Sequence, residues 1–353
     1  MHQANIAELK KNVAPFEKSD MKKSIRQLVN TLVPLILLWY GAYLSLSVSY
    51  WLTLPIVIVA GGFVIRTFII CHDCCHQSFF RNRLANDIVG TITGVLTLVP
   101  YEQWKNSHNI HHATSSNLDK RGVGDLWMLT VNEYLEAPIW RKIAYRLYRN
   151  PIVMFGLGPI FVFLLQYRFN VKRARRKERL NTYLTNVLLV GLYSVLIWAV
   201  GWQAFLLIQG PIFFVSGLFG IWLFYVQHTY EDSYFENEEE WNYVKAAVEG
   251  SSYYKLPKVL QWITGNIGFH HVHHLSPRVP NYNLEKAHIE TPPLQKATTI
   301  TLAASVQCLR FHLWDESNKR FVSFKGIKRL ATTAPSEAIM DALQGSKPSL
   351  EGK

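Results

Sequence analysis

Long apolar runs separated by short polar stretches dominate the first two thirds of the sequence. One pair of runs covers residues 31–48 and 51–70, and a second pair covers residues 183–200 and 204–226. Each run approaches the roughly 20 residues that a helix needs to cross a bilayer. The pattern therefore predicts an all-α integral membrane protein with about four transmembrane helices, arranged as two helical hairpins.

Two further apolar stretches, within residues 86–100 and 151–167, are too short and too interrupted to cross a bilayer comfortably. Positive charges flank the second stretch on both sides, including the basic run at residues 172–177. Because cytoplasmic loops carry an excess of Lys and Arg, both of its ends are expected in the cytoplasm. We therefore expect both stretches to be re-entrant or interfacial helices.

The remaining segments are polar or amphipathic. Residues 1–30 show no secretory signal pattern, end in a basic amphipathic stretch and are expected to be a cytoplasmic N-terminal segment. Residues 31–280 are expected to form the membrane domain, and residues 281–353 a cytoplasmic C-terminal segment whose Pro- and Ser-rich end is loose. Arg66, near the end of the second apolar run, is expected to extend its guanidinium toward the interface.

Composition and charge support this assignment. Aromatic residues make up 13% of the 353 residues and charged residues only 18%. The net charge of +12 would suit nucleic acid, but the basic residues flank apolar runs, so we expect no nucleic-acid partner. Three of the four cysteines lie between Cys71 and Cys75, too close for a useful disulfide framework, and are expected to be reduced thiols. Without a second cysteine pair, a cysteine-rich zinc site is not favoured.

Most of the thirteen histidines are clustered. Three clusters contain histidines spaced three and four residues apart, which places their rings on one face of a helix. These residues are His72 and His76; His108, His111 and His112; and His270, His273 and His274. Neutral imidazoles are metal ligands, so three such clusters at one membrane face predict a metal site. His228 ends the last apolar run, whereas His2, His288 and His312 are expected to be ordinary surface residues.

The number of imidazoles narrows the choice of metal. Eight or nine exceed the four ligands of a tetrahedral zinc site and would serve two metal ions with positions left open for oxygen. Imidazole suits iron as well as zinc and copper. A nitrogen-rich site beside a lipid-embedded segment favours oxygen activation on an apolar substrate over hydrolysis.

The three clusters and their order resemble the histidine boxes of the integral-membrane fatty acid desaturases. The boxes read His72-x3-His76, His108-x2-His111-His112 and His270-x2-His273-His274. The resemblance extends over residues 21–280. The residues around the boxes are similar to those of the bacterial acyl-lipid branch and, more narrowly, of the cold-induced delta-5 desaturases of bacilli.

This resemblance implies a specific reaction. Two iron ions, ligated by the eight box histidines and by His228 as a ninth ligand, would use O2 to introduce a cis double bond into acyl chains of membrane phospholipids. Electrons would come from a separate ferredoxin or flavodoxin. The site would lie on the cytoplasmic side of the bacterial cell membrane. The basic residues at 141–149 and 172–177 would either receive the acidic carrier or only fix the topology.

The resemblance also implies roles for residues beside the ligands. His271 occupies a variable box position and is expected to point away from the metals. Asp73, Asn266 and Asp125 would hydrogen-bond to ligand rings, or serve as helix caps or turn residues.

Two other classes of function stay open at this point. Membrane hydroxylases, including carotenoid hydroxylases and ketolases, share the box spacing and would add oxygen to the product. A non-catalytic metal-binding protein or transporter would place histidines and carboxylates within the membrane spans, and these spans carry almost none.

Overall fold

A computed structural model describes residues 3–327, in which helices are the main elements. The helices are, in chain order, α1 (Gln3–Val13), α2 (Met21–Ser45), α3 (Tyr50–Cys75), α4 (Arg83–Leu96), α5 (Tyr101–Thr114), α6 (Val131–Glu136), α7 (Ile139–Tyr148), α8 (Arg176–Val200), α9 (Trp202–His228), α10 (Tyr243–Glu249), α11 (Lys258–Ile263), α12 (His270–Leu275), α13 (Asn281–Glu290) and α14 (Leu302–Ser305). Short π-helical and 3-10 segments join several of them. The predicted predominance of helix is confirmed.

The described part of the chain also contains five short strands, which the sequence pattern did not predict. They are β1 (Leu129–Thr130), β2 (Tyr253–Lys255), β3 (Thr299–Thr301), β4 (Leu313–Asp315) and β5 (Arg320–Val322). One sheet has the order β1-β4-β5, with β1 parallel and β5 antiparallel to β4, and β2 pairs in parallel with β3. Strands of two or three residues are too short to produce a recognisable alternation of apolar and polar positions.

Within residues 3–327, four helices, α2, α3, α8 and α9, are long and apolar enough to cross a membrane, as the apolar pattern predicts. The number rises to six if each of two bent helix pairs is one span. Helices α2 and α3 form a hairpin, and Gly201, with a positive φ of 83°, connects α8 to α9. The first span begins at Met21, so the predicted amphipathic stretch is continuous with it.

The two short apolar stretches belong to bent helix pairs. The axes of α4 and α5 differ by 102°, and residues 152–168 are bent by 66° from α7. Between α4 and α5, the chain turns through Leu98, which has a φ of 61°, and Pro100 precedes α5. Because the bend lies inside residues 86–100, this stretch is not one straight crossing. Its re-entrant or interfacial nature, and that of residues 151–167, stays a prediction.

Gly90 permits the close approach of α4 to α5. A Cβ atom at this position would lie 2.2 Å from the ring of Tyr101, which is fully buried and whose hydroxyl donates to the Cys74 carbonyl at 2.8 Å. We expect Gly90→Ala to lower the free energy of unfolding by about 1–3 kcal/mol through overpacking.

Thermal unfolding of detergent-solubilised protein measures this effect. The matched control is Gly191→Ala in α8, where a Cβ atom would meet nothing within 4 Å. Equal melting temperatures for the two variants would contradict the assigned packing.

Arg66 corrects one expectation. Its side chain is buried rather than extended to the interface, with only 5% exposed. Its Nε donates to the Thr31 hydroxyl at 3.1 Å, a terminal nitrogen donates to the Trp262 carbonyl, and the guanidinium lies 3.9 Å from the Trp262 ring centroid. Arg66 thus connects α3 to α2 and α11 by hydrogen bonds. The acceptors on these two helices replace the water that an interfacial guanidinium would bind.

The polar segments pack together beyond the ends of α3 and α9. Helix α1 packs through Leu9 and Val13 onto α10, α12 and α13 in one apolar cluster. The expected segment boundary after residue 30 falls inside α2, and the boundary after residue 280 falls at the start of α13. The division into three segments stays a prediction. The expected loose C-terminal end lies outside the described residues.

Candidate metal centre

Four helices bring nine histidines together. The C-terminal end of α3 carries His72, with His76 directly after it, and α9 ends at His228. The middle and end of α5 supply three histidines, and the one-and-a-half turns of α12 supply three more. The helical spacing predicted for each cluster is present. The nine rings therefore meet where α3 and α9, two of the membrane-length helices, end.

The rings fall into two groups that cut across the sequence clusters. In the five-histidine group, one nitrogen from each ring lies within 4.8 Å of all the others; its members are His72, His76, His108, His112 and His273. The three-histidine group meets the same criterion with His111, His228 and His274. The groups are adjacent, since the rings of His112 and His274 stack with centroids 4.2 Å apart.

His270 lies at the edge of the three-histidine group. Its Nε2 is 3.0 Å from Nε2 of His228 and 3.1 Å from Nε2 of His274, although His270 is not a member of the group defined by the mutual distance. The nine predicted ligands are thus all present at the two groups, eight as members and His270 as a neighbour.

Burial favours the neutral form of several of these rings. Burial and the neighbouring imidazoles lower the pKa of His112 and His273 well below the ordinary value, and the pKa of His274 falls for the same reasons. A neutral imidazole has one nitrogen lone pair available for a metal ion. Among the groups, Nε2 atoms face one another at about 3 Å, as for His112 and His273 at 2.9 Å. Convergent lone pairs of this kind suit a bound cation.

Several rings are oriented by a hydrogen bond at their other nitrogen. Nδ1 of His72 lies 3.2 Å from Oδ1 of Asp73, and Nδ1 of His111 contacts the carboxylate of Asp125. Nδ1 of His228 donates to the Gly250 carbonyl at 3.0 Å. Such contacts fix the ring and leave Nε2 directed at the group, which is the usual arrangement around metal-ligating histidines.

The third predicted orienting residue, Asn266, makes no hydrogen bond to a histidine ring within residues 3–327. Its side chain instead donates to the main-chain carbonyl of Asn281 at 3.3 Å, and its backbone adopts a positive φ of 59° in the turn before α12. Asn266 is therefore a turn residue. Asn266 lies four residues before His270, a spacing that would place the two side chains together only in a continuous helix. The left-handed turn at Asn266 breaks that helix, and the sequence did not show the turn.

Asn281 has a role that the sequence did not indicate. Its backbone and side-chain amides both donate to Oδ2 of Asp73, at 2.6 and 2.7 Å, and its own Oδ1 accepts from Gln27 at 3.0 Å. All of these residues are buried. A chain of hydrogen bonds thus connects the first span, through Asn281 and Asp73, to His72.

The remaining histidines lie apart from the two groups. His271 faces away, with its Nε2 3.0 Å from Nδ1 of His288. His288 and His312 are half-buried rather than ordinary surface residues, because His288 pairs with His271 and His312 stacks on Phe324 at 4.3 Å. His2 lies outside the described residues. The four cysteines are free and buried, and none is in either histidine group.

The two basic stretches differ in their availability. In the first, Arg149 is buried and donates to the Phe311 carbonyl, and Arg146 donates to Tyr134. In the second, Lys177 pairs with Asp87 and Glu102, and Arg175 pairs with Glu178. The other basic residues, Lys172, Arg173 and Arg176, are exposed. The second stretch therefore presents more exposed positive charge at the surface.

Comparisons with known proteins identify relatives. A family described as "Fatty acid desaturase" matches residues 49–301. The protein "Fatty acid desaturase" of Bacillus subtilis is 62% identical over 331 residues, 94% of each chain. "Omega-6 fatty acid desaturase, chloroplastic" of Arabidopsis thaliana is 31% identical, and the match covers 77% of this chain but only 60% of the plant protein. "sn-1 oleoyl-lipid 12-desaturase" of Synechocystis is 27% identical over 76% of each chain.

Proposed function

Because the chain belongs to the fatty acid desaturase family, and is an oxidoreductase that acts on fatty acids, we propose that it desaturates phospholipid acyl chains at a diiron centre. In this proposal O2 is the oxidant, the product is a cis double bond at the delta-5 position, and ferredoxin or flavodoxin supplies electrons. The enzyme would lie in the bacterial cell membrane with the histidines on the cytoplasmic side.

The observation that carries the proposal is the pair of adjacent, buried histidine groups. Five imidazoles in one group exceed the four ligands of a zinc site, and two groups provide for two ions. All donors are nitrogen, which suits iron among the metals that imidazole binds. The nine histidines, His72, His76, His108, His111, His112, His228, His270, His273 and His274, would hold the two ions.

When bound, the two irons would supply the redox chemistry that reduces O2 and oxidises two adjacent methylenes. Overall, one O2, two electrons and two protons, with the two hydrogens removed from the chain, give two waters and one double bond. The protein's own residues fix the site for this reaction. Asp73 and Asp125 orient His72 and His111, and the burial of the rings excludes bulk water.

Different observations support the finer parts of the proposal. A phospholipid substrate is consistent with the name of the Synechocystis relative, which specifies a lipid-bound oleoyl chain. Delta-5 rests on the residues around the histidine boxes. The exposed basic residues at 172–176 would attract an acidic carrier such as ferredoxin.

Lipid analysis tests the proposal. The chain is expressed with a compatible ferredoxin in a bacterium that lacks delta-5 unsaturation, and the double bonds are mapped by gas chromatography–mass spectrometry. We expect one new cis bond at carbon 5 that disappears when oxygen is withheld. Hydroxylated chains would assign the protein to the hydroxylases instead, and a bond at another carbon would overturn delta-5.

A variant of Asn281 tests the hydrogen-bond chain to His72. We expect Asn281→Ala to weaken iron retention about tenfold, because Asp73 would lose two donors and hold His72 less firmly. Competition with a chelator measures this retention. Asn283→Ala is the control, since this buried residue of the same helix bonds to Lys23 and not to Asp73. Equal retention in both variants would remove Asn281 from the support of the site.

A further inference from the structure

A narrow cavity lies against the three-histidine group. Its volume is about 40 Å³, and His111 and His228 form part of its wall. Ser116 and Arg149 also line it, and much of the remaining wall is apolar. The apolar side chains include Leu126, Met128, Phe224, Phe235 and Phe321. The wall also includes Ser115, Thr229 and the charged residues Arg121 and Asp125. The cavity thus combines apolar side chains with polar and charged ones beside the candidate metal centre, and two of the polar ones are hydrogen-bond donors.

Both donors lack partners. Neither Nε of Arg149 nor the hydroxyl of Ser116 has a hydrogen-bond partner among residues 3–327, and both side chains are more than nine-tenths buried. Arg149 uses one terminal nitrogen to donate to the Phe311 carbonyl at 2.8 Å. Buried donors are normally satisfied, so these two point to an acceptor that enters the cavity.

The backbone of Ser116 supports a functional reading. Its φ of 63° lies in the left-handed region, which serine rarely adopts. Such conformations cost free energy and tend to occur at binding sites. Its carbonyl accepts from the Glu236 amide at 3.1 Å, which holds the turn in place.

We propose that this cavity binds the ester carbonyl of a phospholipid acyl chain, with the Arg149 guanidinium and the Ser116 hydroxyl as donors. This inference rests on the function proposed above. The volume is on the order of one water-sized group, which suits a carbonyl and excludes a phosphate headgroup.

This site would set the position of the double bond. A carbonyl held against His111 and His228 leaves only a few carbon–carbon bonds between the ester and the metal centre. Oxidation would then fall near the carboxyl end of the chain, as delta-5 requires. Without the donors, the chain could slide along its axis and several carbons would reach the oxidant.

Two variants test the site. Ser116→Gly removes the hydroxyl and suits the positive φ, and Arg149→Lys keeps the charge but removes Nε. In vesicles of dipalmitoyl phosphatidylglycerol with ferredoxin and its reductase, we expect turnover to fall about fivefold for Ser116→Gly and about tenfold or more for Arg149→Lys. In both, double bonds should spread to neighbouring carbons while iron content stays at the wild-type level.

Ser251→Ala is the matched control, because its hydroxyl is also buried and unpartnered within residues 3–327 but does not line the cavity. It should keep both rate and bond position. Wild-type rate and bond position in Ser116→Gly and Arg149→Lys would overturn the inference and leave the cavity as a water site. The same assay with free palmitate gives a second check. If the two variants lost activity on palmitate but kept it on the phospholipid, the inference would also be overturned, since the group bound by the two donors would then be a free carboxylate.

These results are distinguishable from a failure of the proposed function. If wild-type protein loaded with iron and supplied with ferredoxin forms no double bond, the proposed function fails. If the wild type desaturates and the variants behave like it, only the carbonyl site fails.

Discussion

Replacing His111 with alanine is expected to abolish the formation of unsaturated acyl chains, leaving below about 1% of the wild-type product. His111 is only 2% exposed, belongs to the three-histidine group and is held by Asp125. Loss of a proposed ligand should cost more than the 10–100-fold typical of residues that orient ligands. Lipid analysis of cells, with quantification of the protein in the membrane fraction, measures the effect at constant expression.

The control for this experiment is His312→Ala. His312 is half-buried like many core histidines, but its ring stacks on Phe324 and lies outside both groups. It should insert into the membrane and remain active. Activity in His111→Ala close to that of the wild type would remove His111 from the ligand set.

Asp73→Asn is expected to have the second largest effect, a 10–100-fold loss of iron affinity with a matching loss of product. The carboxylate contacts Nδ1 of His72 with one oxygen and accepts two bonds from Asn281 with the other. An amide of the same size has only one oxygen and cannot accept on both sides. Iron content after dialysis against a graded series of chelator concentrations measures the affinity.

Asp232→Asn controls for the loss of a negative charge, because Asp232 is exposed and makes no hydrogen bond or ion pair with the nine histidines within residues 3–327. It should retain iron like the wild type. If Asp73→Asn retained iron equally well, the contact with His72 would be incidental to metal binding.

Local periodicity made much of this protein predictable. The four long apolar runs correspond to α2, α3, α8 and α9. These helices were predictable because a membrane-spanning helix needs about twenty apolar residues, and few other secondary-structure elements have such a run. The i, i+3, i+4 spacing of His108, His111 and His112 correctly indicated a helix that presents its rings together. Both features depend on residues that are close together in the chain, so the order of residues in the sequence is enough to predict them.

The grouping of the histidines was not predictable in the same way. His111 joins His228 and His274, whereas His108 and His112 of the same helix join the other group. Which side of α5 meets α9 and α12 depends on long-range packing. The same limit explains Arg66, whose acceptors Thr31 and Trp262 are distant in sequence.

The supporting hydrogen bonds divide similarly. Asp73 and Asp125 come soon after histidine clusters in the chain, so the sequence predicted them as hydrogen-bond partners of the rings. Asp73 contacts the ring of His72 and Asp125 the ring of His111. Asn281 and the Gly250 carbonyl act from other elements, and a main-chain carbonyl has no sequence signature. Asn266 looked equivalent to the aspartates but lies in a left-handed turn.

Metal analysis of the purified full-length protein tests the central proposal most directly. Cells grown with iron and zinc both available would yield protein for elemental analysis, with the chain concentration taken from amino-acid analysis. Two adjacent histidine groups predict two irons per chain, and Mössbauer spectra of a coupled iron pair. A single metal per chain, or zinc in place of iron, would contradict a diiron centre.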